Sequence, residues 1–153
     1  MYVEIVLGCF AVLIGALIIA LNRPPPKLKA YSRWVDASEP KGGAKVRYKK
    51  VHLSEIPRKA YRFCLIGETD ETRDVAACLR QRRVLDQAAH ESGHTILIAQ
   101  VEYPNKVQWV YYSARPIAAI RLLREIDLPV SCRYGQAEDG NWDEYRHYAK
   151  LPK

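Results

Sequence analysis

Residues 5–21 run for seventeen positions without a charged or strongly polar side chain, and no later stretch of the chain approaches that length. Wound as a helix, the run is about 26 Å long at 1.5 Å per residue, close to the roughly 30 Å hydrocarbon core of a bilayer. Asn22 and Arg23 precede Pro24, Pro25 and Pro26, which stop the helix because proline has no N–H to donate and clashes with the preceding turn. The pattern predicts a transmembrane anchor over residues 1–22. A cleaved signal peptide is the competing expectation, but residues 1–4 (Met-Tyr-Val-Glu) contain no Lys or Arg and no small-x-small site follows the apolar run. Gly8, Ala11 and Gly15 are small enough to let a second helix approach, a weak signal in such spans.

Periodicity is lost over residues 23–50. Four prolines (24, 25, 26 and 40), the pair Gly42-Gly43 and dispersed Lys and Arg predict an extended, basic juxtamembrane linker. Regular patterns return in residues 51–153. Residues 60–66 (Ala-Tyr-Arg-Phe-Cys-Leu-Ile) read as a strand closed by Gly67. Polar caps at 69–74 precede Val75, Cys78, Leu79, Arg82, Leu85 and Ala89 at helical spacing. Residues 95–103 and 107–112 are β-branched and aromatic, and they flank the hairpin signal Pro104-Asn105-Lys106. A helix over 115–126 has Pro116 in its first turn and Ile117, Ile120, Leu123 and Ile126 assigned to one face. Residues 130–134 form a last strand ending at Gly135, and a short helix over 141–149 is expected to cap an edge. The order β-α-β-β-α-β predicts an α+β domain of the ferredoxin-like kind, one antiparallel sheet with two helices on one face.

Charge changes the picture by its distribution. The chain is +7 overall. Nine Lys and Arg (23, 27, 29, 33, 41, 45, 47, 49 and 50) face only Asp36 and Glu39 within residues 23–50, so that stretch alone carries +7. Residues 51–153 are left at +1. The positive-inside rule then places the C-terminal part in the cytoplasm. Arg23, Lys27, Lys29 and Arg33 are candidates to contact anionic lipid headgroups, each worth on the order of 1 kcal/mol near the surface. Setting the topology is an equally good account of these charges. Tyr2 and Trp34 are placed near the two membrane interfaces. A nearly neutral domain lacks the basic face that nucleic-acid binding needs.

The four cysteines, Cys9, Cys64, Cys78 and Cys132, form no C-x-x-C pair, and their apolar contexts predict reduced packing residues. His52 and His147 stand alone and are expected at the surface. There is no glycine-rich phosphate loop and no nucleophile elbow.

The run Val107-Gln108-Trp109-Val110-Tyr111-Tyr112-Ser113, the helix after it, and Glu138 and Asp139 followed by Trp142 and Tyr145 together resemble the domain-of-unknown-function family 695. That family has a strand bearing tryptophan and tyrosine after a hairpin, then a helix, a strand and an acidic-x-x-Trp-x-x-Tyr ending. It groups with the regulator of ribonuclease activity B, a ferredoxin-like inhibitor. The resemblance covers about residues 60–150, implies a protein-binding regulator, and brings no catalytic residues. Trp109, Tyr112, Trp142 and Tyr145 are therefore the candidate partner-binding side chains. The plainer reading makes Trp109, Trp142 and Tyr145 core residues whose polar tips are satisfied near the surface.

One motif points elsewhere. His90-Glu91-Ser92-Gly93-His94 satisfies H-E-x-x-H, in which two histidines one turn apart on a helix bind zinc and the glutamate activates water. Glu125, Glu138, Asp139 and His147 offer no recognisable spacing for a third ligand. The residues that follow, 95–98, belong to a predicted strand, which puts His94 out of register with His90.

The expectation is a single-span membrane protein whose cytoplasmic domain binds and regulates, or helps assemble, a partner protein, without a cofactor. A zinc hydrolase using His90, Glu91 and His94 is the competing class. A small-ligand sensor, binding at a sheet edge or dimer seam, is a third.

Overall fold

The computed structural model describes residues 33–39 and 43–152. The predicted anchor, and with it Arg23, Lys27, Lys29 and the triple proline, lies outside the described residues. Among those described, no helix is long and apolar enough to cross a membrane.

Six strands form one antiparallel sheet: β1 (Trp34–Ser38), β2 (Lys45–Lys49), β3 (Phe63–Thr69), β4 (Thr95–Glu102), β5 (Val107–Ser113) and β6 (Cys132–Glu138). Their spatial order is β1-β2-β4-β5-β3-β6, so β1 and β6 are the edges. Helices α1 (Val75–Arg80) and α2 (Arg82–Glu91) join β3 to β4, and α3 (Pro116–Arg124) joins β5 to β6. Helix α4 (Asp143–Ala149) follows the last strand. From β3 to β6 the elements run β-α-β-β-α-β, the order expected from the hydrophobic pattern.

Strand alternation feeds two apolar clusters, one on each face. Leu65, Leu97, Trp109 and Tyr111 pack with Cys78, Leu85 and Ala89 of α1 and α2 and with Ala119 and Leu123 of α3. Cys64, Ile98 and Tyr112 point the other way, into a cluster with Val46, Tyr48, Tyr61, Trp142, Tyr145 and Tyr148. β4 is covered on both faces and is buried at seven of its eight positions. A bulge between Leu97 and Ala99 puts the consecutive residues Ile98 and Ala99 into the same cluster.

The structure corrects several expectations. The stretch read as linker contains β1 and β2, paired in register from Trp34↔Lys49 to Ser38↔Lys45. Their alternation is real but short: Val46 and Tyr48 turn inward while Lys45 and Arg47 turn out. Prolines, glycines and charges around them masked it. Trp34 accordingly belongs to the sheet, with the Arg82 guanidinium over its ring.

Gly67 and Gly135 sit inside strands, which continue to Thr69 and Glu138. At Gly67 the Tyr134 ring of the neighbouring strand passes so close that a Cβ would lie 2.7 Å from its Cε1, so glycine here admits a ring.

The helical run from Val75 is broken once, at Gln81, between α1 and α2. Helix α4 covers a sheet face instead of capping an edge, since Trp142, Tyr145 and Tyr148 enter the second cluster. Ile117 is 71% exposed. Residues spaced always by three rotate about 60° per step around a helix, so Ile117 leaves the face on which Ile120 and Ile126 pack against the cluster that holds Leu123. The buried stripe is Ala119 and Leu123.

Candidate partner-binding surface

The four aromatic candidates are in the core. Trp109, Tyr112 and Trp142 have no exposed surface and Tyr145 has 4%. As they stand, they offer no contact patch, because each one closes a face of the sheet. The Trp142 ring stacks on Tyr112 with centroids 3.9 Å apart and a 10° interplanar angle, and its Nε1 donates to Tyr61 O at 2.8 Å. Trp109 Nε1 donates to Gln100 Oε1 at 3.3 Å. The Tyr145 hydroxyl accepts from Val51 N at 2.9 Å and donates to Val51 O at 3.0 Å, joining residues 94 positions apart.

Asp139 organises the turn into α4. Its carboxylate accepts from the Tyr112 hydroxyl at 2.5 Å and from the backbone N–H groups of Asp143 and Glu144 at 2.9 and 3.1 Å. Burial pushes its carboxyl up, but these hydrogen bonds outweigh burial and hold it below the ordinary aspartate value. Trp142 takes a left-handed φ of 59°, which turns the chain so that its ring lands on Tyr112. The acidic-x-x-Trp-x-x-Tyr ending therefore acts as a clasp fixing α4 to the sheet.

The H-E-x-x-H pentapeptide is split by the end of a helix. α2 stops at Glu91, Ser92 N donates to Ala88 O at 3.1 Å, and Gly93 turns left-handed at φ 69° with its N–H on His90 O at 3.1 Å. Such a glycine terminator redirects the chain. His94 leads straight into β4, its Nδ1 2.8 Å from Thr95 Oγ1, while His90 stays exposed on α2. The two imidazoles thus do not stand one turn apart on one helix, which is the geometry the motif needs. Burial, with the Arg115 charge nearby, lowers the His94 pKa. Among the described residues no cluster of three His, Cys, Asp or Glu side chains is placed to hold a metal.

The thiols are similarly withdrawn. Burial, reinforced by Glu144 and Asp139, pushes Cys64 up to about 12, and burial takes Cys132 to about 11. Neither has the thiolate character a nucleophile requires.

One surface feature lies around β6 and α3. A shallow groove of about 550 Å³ runs between them, lined by Ile117, Ile120, Arg121, Arg124, Glu125 and Gln136. Among the described residues β6 pairs with β3 alone, so the backbone on its outer side has no strand partner there. Between Arg133 and Glu138 it holds Tyr134, Gly135, Gln136 and Ala137, with no charge and no proline to discourage pairing. The opposite edge is guarded: β1 carries Asp36 at its centre, 2.5 Å from Arg47 Nε, and Ser38 N donates to Pro152 O at 3.2 Å. Ile117, at the mouth of the groove, is the most exposed large apolar side chain among the described residues. Arg33, the one described headgroup candidate, is exposed ahead of β1.

Comparison with protein-family models, with curated proteins and with solved structures returned no match. The resemblance to the domain-of-unknown-function family 695 accordingly rests on the residues that carry it.

Proposed function

We propose that this chain is a single-span membrane protein whose α+β domain, on the cytoplasmic side, binds a partner protein without catalysis of its own. In this reading the partner adds an extended segment to β6 and lays apolar side chains into the groove beside α3. Strand addition supplies affinity through main-chain hydrogen bonds and specificity through flanking pockets. The observation that carries the proposal is the contrast between the middles of the two edges: β1 has paired Asp36 at its centre and is tied to Pro152, while residues 134–137 of β6, between paired Arg133 and Glu138, are uncharged and lie beside exposed Ile117. The sheet order β4-β5-β3-β6 with its crossover helices supports a ferredoxin-like core extended by β1 and β2. The apolar run at residues 5–21 and the nine basic residues after it support the anchor and its orientation. The regulatory role implied by the family resemblance is part of the same proposal.

The test is site-specific photo-crosslinking in native membranes, with the crosslinker placed in turn at Gln136, Ile117 and Asp36 of the full chain. We expect a discrete protein adduct from positions 136 and 117 and none from 36. Gln136→Lys together with Ile117→Asp, which charge the edge and the groove, should abolish the adduct formed from a neighbouring β6 position. Equal crosslinking from all three positions, or an adduct indifferent to those charges, would sink the proposal.

A further inference from the structure

Helices α1 and α2 lie over the middle of the sheet, and the β1–β2 pair extends the sheet beyond them. The overhang leaves a cleft of about 400 Å³ whose walls include Asp36, Arg47, Arg82, Gln100 and Glu102. Alternation brings Lys45, Arg47 and Lys49 of β2 to the side facing α2, and strand pairing sets Asp36 beside Arg47 and Glu102 beside Lys45.

The charges can be matched pair by pair. Arg47 Nε is 2.5 Å from Asp36, Lys45 Nζ is 3.8 Å from Glu102, and buried Lys49 donates to Asp86. Three carboxylates are thereby committed to three cations. Arg82 is left over. Its guanidinium carbon sits 4.7 Å from the centroid of the Trp34 ring, which Lys49 also approaches at 5.3 Å. Its Nη1 is buried with no hydrogen-bond partner among the described residues. A buried charged donor without an acceptor costs more than the 1–3 kcal/mol or so of a neutral one. Gln100 adds donor capacity, because its Oε1 is taken by Trp109 while its Nε2 makes no hydrogen bond among the described residues.

We infer that this cleft binds a phosphate group, with Arg82 as its principal ligand and Arg47 and Gln100 as supporting donors. The cleft is rich in donors and carries one positive charge beyond its carboxylates, and a phosphate supplies three acceptor oxygens and the missing negative charge. The planar guanidinium, already placed over the Trp34 ring, is the side chain best suited to such an oxyanion. A phosphorylated solute and a phospholipid headgroup share this chemistry. The headgroup is within reach because β1 begins thirteen residues after Leu21, the end of the predicted span.

The full chain in neutral detergent is titrated with inorganic phosphate at constant ionic strength, following heat and tryptophan fluorescence. In parallel, the chain is placed in nanodiscs of phosphatidylcholine with and without phosphatidic acid. We expect saturable binding of one phosphate per chain, or a phosphatidic-acid-dependent fluorescence change lost in Trp34→Phe. Either response should weaken at least tenfold in Arg82→Gln and remain unchanged in Arg146→Gln, an exposed residue of α4 over the opposite face of the sheet. Response to phosphate identifies a soluble ligand, and response only in nanodiscs identifies a headgroup. Arg82→Lys keeps the charge but loses the fork, so it reports on the site even if Arg82→Gln unfolds, and it should weaken binding several-fold. Absence of both responses, or binding of wild-type strength in Arg82→Lys and Arg47→Gln, overturns the inference.

Discussion

On the face of the sheet that carries α1, α2 and α3, closure is apolar and local: Leu85, Ala89, Ala119 and Leu123 drop onto Leu65, Leu97 and Trp109. On the opposite face closure is aromatic and hydrogen-bonded, and it is made by distant parts of the chain. Tyr145 grips Val51, Trp142 reaches Tyr61, and Asp139 gathers Tyr112 and the start of α4. The first face rests on area removed from water, which tolerates repacking with loss of stability alone. The second depends on donors and acceptors that are buried in pairs, so breaking one partner strands the other. The same sheet is thus sealed by adjustable packing on one side and by a specified network on the other.

Substitutions separate the two modes, most sharply with the largest change. Trp142→Ala removes a fully buried indole together with its bond to Tyr61, and should cost about 4 kcal/mol in denaturant unfolding of the full chain in mild detergent. Leu85→Ala on the helical face should cost about 3 kcal/mol by cavity formation. Because the two residues lie on opposite faces, their effects should add to within about 0.5 kcal/mol. Coupling well beyond that would show the faces to be one unit.

Tyr145→Phe keeps the ring but strands Val51 N–H and C=O, for about 2 kcal/mol. Combined with Trp142→Ala it should be clearly sub-additive, since the rings touch edge-to-face at 6.0 Å and share the clasp. Simple additivity would show the clasp to be a set of independent contacts.

The smallest effect is confined to acid. The folded-state pKa of Asp139 is depressed, so its contribution to stability is present above the unfolded value of about 3.9 and is lost as pH falls through the folded value. Unfolding measured from pH 6 to pH 2 should steepen below about pH 4 in the wild type, and less so in Asp139→Asn. Identical profiles would remove Asp139 from the network.

The sequence was most legible where structure is local. The hairpin about Pro104-Asn105, the β4 and β5 strands and the stripe Cys78, Leu85 and Ala89 appear where pattern puts them, because neighbours along the chain are neighbours in space. The glycines misled, since a strand glycine and a strand end look alike until the facing Tyr134 ring is known. β1 and β2 were obscured because five-residue strands flanked by proline, glycine and lysine carry too few periods to stand out. The H-E-x-x-H match depended on whether the helix continues past Glu91, and Gly93 at positive φ ends it.

By itself the sequence determined the α+β class, the core order of strands and helices, and which side chains are apolar enough to bury. It also determined the contrast between a basic segment after the apolar run and a nearly neutral domain. Only the tertiary structure decided that Trp109, Tyr112, Trp142 and Tyr145 face inward, that Ile117 faces outward, and that Arg82 forms no ion pair among the described residues. Burial and charge pairing are set by residues up to 94 positions away, and that separation carries no period along the chain.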